Sequence, residues 1–506
     1  MDSPPMTVPV PPDPAGPVNS RETGGLGGHP RGLTTLFFTE LWERFSYYGM
    51  RALLTLFMVA PVTVGGLGYD KKDAAAIYGN YTMAVYMLTI VGGFLADNFI
   101  GSRASVLYGG IIIACGHFSM AFNSETTFFL GLVLVALGTG LLKPNISTMV
   151  GSLYRPEDDR RDAGFSIFYM GINIGAFAAP LLTGWLAQSD EFRGMLSSWG
   201  MNPLHSWHWG FAAAGVGMTF GLIVYVLTGR NLAHVGQPPP RGEGRPWGKL
   251  ALVIIATAAL MRVMMLADQY PWIVYAMFGA QIAAVLFFAL KPGQDSKRIA
   301  AILVFFIAAE IFWAIFEQSG STIALFGDEL TRTTIFGWDF PSAWFQSLNP
   351  VFVIMLAPFF AWLWVGLGRM QPSSPFKFML GLVFLGLSFV WMVPAAKLTA
   401  DGKISPLWIV VLFLLQTIGE MCLSPVGLST MTKLAPQRLL GLVMGIWFLA
   451  AALGNKLAGV LAGHFQSKDP EVLADFFLKQ AMWVGVATLI LFALVPWVKR
   501  LMGGVR

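Results

Sequence analysis

A chain of 506 residues that is 55% hydrophobic, 14% aromatic and only 12% charged lies outside the composition of soluble globular proteins and reads as a polytopic membrane protein. Its formal net charge of +5 does not mark a nucleic-acid partner, because the basic residues fall in short loops between apolar runs and form no patch interleaved with aromatics. The two cysteines, Cys115 and Cys422, both sit inside apolar runs, so neither a disulfide framework nor a cysteine metal site is expected.

Residues 1–30 are rich in Pro and Gly and have no apolar core; they read as a disordered cytoplasmic tail rather than a signal peptide or a span. Apolar segments of about 20 residues, the length that crosses ~30 Å of hydrocarbon, then recur at 33–60, 74–97, 104–122, 127–150, 163–187, 208–229, 250–268, 271–290, 299–326, 345–367, 377–396, 406–432, 439–464 and 473–498. The pattern predicts fourteen transmembrane helices. With the N-terminus inside, the inner loops hold basic clusters such as Arg155, Arg160 and Arg161, or Lys291, Lys297 and Arg298, while the outer loops are poorer. That bias places both termini in the cytoplasm.

The chain repeats itself. GTGLLKPNISTM from Gly138 and GEMCLSPVGLSTM from Gly419 share Gly-x5-Pro followed by Ser-Thr-Met, at an offset of 281 residues, and Asn173 and Asn455 keep an offset of 282 in the next span. The repeat suggests two six-helix bundles in parallel orientation, 31–230 and 299–506, that rock about a site at their interface. The linker 231–298 then carries an inserted transmembrane hairpin. GGFLADNFIGSR (92–103) resembles the cytoplasmic loop signature of the major facilitator superfamily, with Asn98 where a basic residue is usual; Asp97 is expected to hold helix N-termini or an Arg across the gap.

The first span contains an oddity, TELWERFSYYGMRALL (39–54). Glu40, Glu43, Arg44, Tyr47, Tyr48 and Arg51 fall along one helical stripe. A charge at the bilayer centre costs roughly 2.5 to 3.5 kcal/mol on the insertion scale, so four on one helix must face a wet cavity or one another. Lys143, Glu310, Glu317, Glu420 and Lys456 interrupt other spans. A path that carries both signs suits a zwitterionic substrate and a travelling proton.

Glu40-x-x-Glu43-Arg44 followed by Phe45, Tyr47, Tyr48 and Gly49 resembles the E-x-x-E-R-F-x-Y-Y-G motif of the proton-dependent oligopeptide transporter family. The resemblance continues through Lys143-Pro144-Asn145, FSIFYMGINIG (165–175), FWAIFEQ (312–318), FQSLNP (345–350), GEMCLSP (419–425) and MGIWFL (444–449). Bacterial members are the most similar, since they carry the hairpin and lack a large extracellular domain. The resemblance implies a proton-coupled symporter of di- and tripeptides in a bacterial inner membrane, working by alternating access, monomeric, without a cofactor or nucleic-acid partner.

In that reading Arg44, Arg51 and Lys143 receive the peptide carboxylate and Glu420 receives the amine. Asn173 and Asn349 meet the peptide backbone, and Tyr47, Tyr48, Tyr86, Trp313 and Trp447 wall the cavity. Glu40 and Glu43 handle the proton beside Arg44 as a coupled set, and a Lys143–Glu317 pair is expected to latch the two bundles together. Rival readings remain. The Arg44 cluster as a static ion pair and the aromatics as packing are the plainer ones, Lys456 reads as a helix-end residue, and Glu310 is left unassigned. A carrier of another small anion or drug is the alternative on the same scaffold. A membrane-embedded enzyme or receptor is the alternative from another class, although no Walker A loop, H-E-x-x-H motif, nucleophile–base set or metal cluster occurs in the sequence.

Overall fold

A computed structural model describes residues 23–155, 158, 160–232, 235–239, 245–435 and 440–504. These residues form α1 Arg31–Val59, α2 Lys71–Leu95, α3 Ser102–Met120, α4 Glu125–Ser152, α5 Arg160–Gln188, α6 Asp190–Ser198, α7 Ser206–Thr228, α8 Trp247–Met265, α9 Trp272–Leu290, α10 Gln294–Phe316, α11 Thr322–Glu329, α12 Leu348–Leu367, α13 Ser374–Leu398, α14 Leu407–Leu434, α15 Leu440–Ala462 and α16 Pro470–Leu501. Apart from the short α6 and α11, each has 19 residues or more, enough to cross a bilayer. Among the described residues, 12 stretches are also apolar enough to do so. The long helices α1 and α3 fall outside that set, as the stripe of α1 and Arg103 and His117 of α3 would lead one to expect.

Polar residues set several starts. The Asp70 carboxylate accepts from the backbone N–H of Lys72 and Asp73 ahead of α2, and Asp469 does the same for Glu471 and Val472 ahead of α16, whose first residue is Pro470. Both supply acceptors to N–H groups that have no intrahelical partner. Between α11 and α12 a two-strand ribbon, β1 Thr334–Ile335 and β2 Trp338–Asp339, turns through Phe336 and Gly337, both at positive φ, as a two-residue hairpin loop requires.

Helices α1–α7 pack on one another, chiefly α1 with α5 and α7, and α3 with α4, while α10–α16 form a second group in which α13 packs on α14 and α16. The groups meet where α2 lies along α15 and α5 along α12. Between them in sequence, α8 rests on α2 and α9 on α10. The repeated motifs occupy matching places. A Cβ on Gly138 would come within 2.6 Å of the Gly109 carbonyl oxygen, and one on Gly419 within 2.8 Å of that of Gly381, so both glycines let a helix pair approach closely. Asn173 and Asn455 each donate to the carbonyl four residues earlier at 2.9 Å.

Three expectations are corrected. The span expected at 299–326 is broken: α10 ends at Phe316, a turn covers Glu317–Gly320, and α11 follows. Gly320 sits against the Tyr78 ring, and its carbonyl accepts from Thr55 Oγ1 at 2.8 Å, so this backbone group serves a contact with α1 instead of continuing the helix. Asp97 is exposed; it is the Arg103 guanidinium that reaches the end of α7, donating to the Gly229 carbonyl at 2.7 Å. Of the expected disordered tail, residues 1–22 lie outside the described residues, but 23–30 are folded, with His29 Nδ1 2.9 Å from the Tyr154 hydroxyl and the Leu26 N–H donating to Thr34 Oγ1.

Candidate functional site

A cavity of about 270 Å³ lies between the two groups of helices. Tyr48 and Arg51 project into it from α1, Tyr86 from α2, Lys143 from α4, Asn173 from α5, Trp313 from α10, Asn349 from α12, Glu420 from α14 and Trp447 from α15, and Glu317 enters from the turn after α10. Ten of the sequence-predicted site residues thus share one cavity, from helices far apart in the chain.

The charged stripe of α1 divides by height. Arg51 lines the cavity, whereas Arg44, Glu40, Glu43 and Tyr47 do not. Arg44 is buried two turns away, its Nε 3.2 Å from Glu40 Oε1 and also bonded to Glu43, with its guanidinium 5.1 Å from the centre of the Tyr47 ring. Glu40 Oε2, Glu43 Oε1 and Arg44 Nη2 are buried with no partner. Arg44 therefore sits in a closed set of charges behind the cavity wall, and Tyr47 belongs to the apolar core.

The expected Lys143–Glu317 latch is not formed. Glu317 pairs with Arg51, whose Nε also donates to the Tyr78 hydroxyl at 2.7 Å. The reason lies one turn along, where the Thr55–Gly320 hydrogen bond docks the end of α10 on α1 and so puts Glu317 beside Arg51. Lys143 instead places its ammonium 3.8 Å from the centre of the Tyr86 ring, within the range of a cation–π contact. On the other wall, Asn349 Nδ2 donates to Glu420 Oε2 at 2.9 Å and to Thr417 Oγ1 at 3.1 Å, which orients the Glu420 carboxylate.

The sequence reading missed Tyr78, Tyr169 and Gln346. Tyr169 lines the cavity one turn before Asn173, within the quoted FSIFYMGINIG motif; Gln346 also lines it and donates to the Ser319 carbonyl at 2.7 Å. Lys456 was expected near a helix end. It lies inside α15, fully buried, with its ammonium 2.5 Å from Asp268 and 2.6 Å from Asn80. Among the described residues no group of His, Cys, Asp and Glu is placed to hold a metal ion.

Beyond the cavity, toward the connections that follow α1, α5 and α11, the two groups are tied together. Lys71 Nζ lies 2.8 Å from Glu329, Gln188 Nε2 donates to Ser342 Oγ at 2.9 Å, Trp344 Nε1 to the Leu181 carbonyl at 3.0 Å, and Ser347 Oγ to the Phe177 carbonyl at 2.8 Å. The groups also touch backbone to backbone where α2 meets α15, since a Cβ on Gly79 would lie 2.8 Å from Gly459 Cα.

A helical protein that crosses the membrane many times and encloses a charged cavity between two bundles has the form of a transporter. The model of the POT family matches residues 103–483, and the chain belongs to that family. It is 39% identical over 507 residues to the peptide transporter YePEPT of Yersinia enterocolitica, covering 95% of this chain and 96% of that one. It is 37% identical over 503 residues to a di-/tripeptide transporter of Lactococcus lactis subsp. cremoris, covering 95% and 98%. A crystal structure of a mutant of the peptide transporter POT in complex with alafosfalin superposes with a TM-score of 0.82 at 41% identity, over 96% of this chain and 98% of that one. These likenesses make the protein a multi-pass membrane transporter of the major facilitator type and not an enzyme.

Proposed function

We propose that this transporter imports di- and tripeptides together with protons across a bacterial inner membrane by alternating access. The observation that carries the reading is the division of charge in the cavity. Cations come from one bundle, Arg51 and Lys143, and a carboxylate from the other, Glu420. A peptide has one negative and one positive end in every sequence, so binding its ends across the gap gives affinity without selecting side chains. An Arg fork suits a terminal carboxylate through paired charge-assisted hydrogen bonds, and Glu420, held by Asn349, receives the ammonium. Asn173, Tyr48, Tyr86, Trp313 and Trp447 supply polar and aromatic wall around the variable parts. A carrier of a lone small anion would have no use for Glu420.

The Arg51–Glu317 pair joins the bundles beside the cavity. Protonation of Glu317 removes one charge of the pair, and a peptide carboxylate competes for the other, so proton and peptide together loosen a contact that neither releases alone. The Glu40–Glu43–Arg44 set stores the proton on its way. A zwitterionic peptide moving with a proton carries net positive charge inward, and an inside-negative potential adds about 2.3 kcal/mol per charge per 100 mV. With both termini cytoplasmic, the tied end of the molecule faces outward.

The test is uptake by the purified protein, reconstituted as a monomer in liposomes, under an imposed inward pH gradient. Labelled dipeptide should accumulate, and unlabelled di- and tripeptides should compete where single amino acids do not. Accumulation unaffected by collapse of the gradient would refute proton coupling, and absence of competition by peptides would refute the substrate.

A further inference from the structure

Glu310 belongs to no part of the transport cavity. It lies in the middle of α10, fully buried, where that helix meets α9 of the inserted hairpin. Gln281 of α9 donates from Nε2 to Glu310 Oε2 at 2.8 Å. The other oxygen of each side chain, Glu310 Oε1 and Gln281 Oε1, is buried without any partner.

Among the described residues no cation forms an ion pair with the carboxyl group. Tyr275 of α9 is exposed. Of the charged groups on the helices packed against α10, Lys456 of α15 is held by Asp268 and Asn80, Lys377 of α13 by Gln371, Lys397 of α13 by Glu471, Glu420 of α14 by Asn349, and Lys479 of α16 by Asp475, while Lys433 of α14, Lys499 and Arg500 of α16, and Asp295, Lys297 and Arg298 of α10 itself lie near the ends of their helices. An ionised carboxylate in such a place would be an uncompensated buried charge, facing a second unsatisfied acceptor. A neutral carboxylic acid reverses the account: it has one O–H donor in addition to its acceptor. A carboxylic acid and a carboxamide pair through two hydrogen bonds, amide N–H to acid carbonyl and acid O–H to amide carbonyl. The first is present, and the two orphaned oxygens are the atoms the second requires.

We infer that Glu310 is a proton-binding site outside the transport cavity, which carries its proton on Oε1, donates it to Gln281 Oε1, and thereby docks the inserted hairpin on the C-terminal bundle. The proton comes from the aqueous phase and no other bond is made or broken. Loss of that proton would leave three acceptor oxygens facing a single amide donor group, so the hairpin would separate from α10 as Glu310 ionises.

The experiment is infrared spectroscopy of the full chain in lipid at neutral pH. The difference between wild type and Glu310→Gln should contain the carbonyl band of a protonated carboxylic acid, shifted by deuteration. Glu310→Gln retains a donor and an acceptor in the same places and should still accumulate labelled dipeptide to within about twofold of wild type. A second variant, Gln281→Leu, keeps the acid but removes its partner, and should move the band to the higher frequency of a weakly bonded acid. A difference spectrum without a protonated-carboxyl band, or a band that Gln281→Leu leaves in place, overturns the inference. Loss of accumulation with retained peptide exchange in Glu310→Gln would place Glu310 on the coupling path and overturn its separation from the cavity.

Discussion

Asp268 and Lys456 allow a quantitative test of how the inserted hairpin is held. Lys456 is fully buried, whereas the Asp268 side chain retains 23% exposure. Removing either partner breaks the same 2.5 Å contact, but the groups left behind differ. In Asp268→Leu the remaining charge has no route to water and keeps only the Asn80 amide oxygen at 2.6 Å. Breaking a buried ion pair from one side costs about 3 to 5 kcal/mol, and the surviving Asn80 bond puts the expected loss at ~3 kcal/mol. In Lys456→Met the carboxylate left behind can be hydrated, so the loss should be about 1 kcal/mol, nearer that of an exposed pair. The double variant removes both charges and should recover about 2 kcal/mol relative to Asp268→Leu alone. Reversible denaturant unfolding of the purified protein in mixed micelles, read by tryptophan fluorescence, gives all four values of the cycle. Equal losses for the two single variants, or additive losses in the double, would show that burial of Lys456 does not control this contact.

Glu420→Gln should weaken binding of a free dipeptide by about ten- to a hundredfold, the range of a charge-assisted hydrogen bond of roughly 1.5 to 3 kcal/mol, and leave the N-acetylated dipeptide nearly unchanged; equal losses in a competition assay would assign Glu420 to the fold or the proton. Glu317→Gln should abolish pH-driven accumulation while exchange of labelled for unlabelled peptide persists in the same liposomes, and accumulation at the wild-type level would remove the Arg51–Glu317 pair from coupling. Gly459→Leu adds side-chain atoms where even a Cβ would lie 2.7 Å from the Ala75 carbonyl oxygen and Gly79 Cα; an overpacking cost of about 1 to 3 kcal/mol should shift the equilibrium toward outward opening by about five- to 150-fold, read as increased external labelling of a cysteine placed at Tyr48. Unchanged labelling would mean that α2 and α15 do not part during transport.

Much of the architecture is legible in the sequence because the bilayer imposes it: a span needs length and apolarity, and both are local. The ionisable residues inside spans are legible for the same reason, since each must have a compensating partner, reach water or shed its charge. Which partner is another matter. Arg51 and Lys143 are both cations of the same bundle at a plausible depth, and the choice between them for Glu317 turns on a break in α10 that follows from Gly320 packing against Tyr78, a contact between residues far apart in the chain. The fate of Arg44 was similarly hidden. It shares a stripe with Arg51, and helical periodicity carries no information on how far along the axis the cavity extends. Lys456 resembled a helix-end residue because its partner lies 188 positions away, on a connection whose sequence, LADQYP, gives no sign of what it will touch.

The contact between the two bundles is built of unlike materials. Beside the cavity the bundles are joined by charge, Arg51 against Glu317, and by the bare backbones of Gly79 and Gly459, while Lys71, at the start of α2, pairs with Glu329. Glycine has no group to titrate, so acidity cannot unfasten that contact directly; it can act only on the carboxylates, Glu317 beside the cavity and Glu329 beyond it. In the proposed mechanism a proton on Glu317 and a peptide carboxylate at Arg51 together loosen the charged contact while the glycine contact still stands. Opening then demands that whole helices tilt apart rather than that a side chain swing aside, so in that mechanism one movement would carry proton and peptide together.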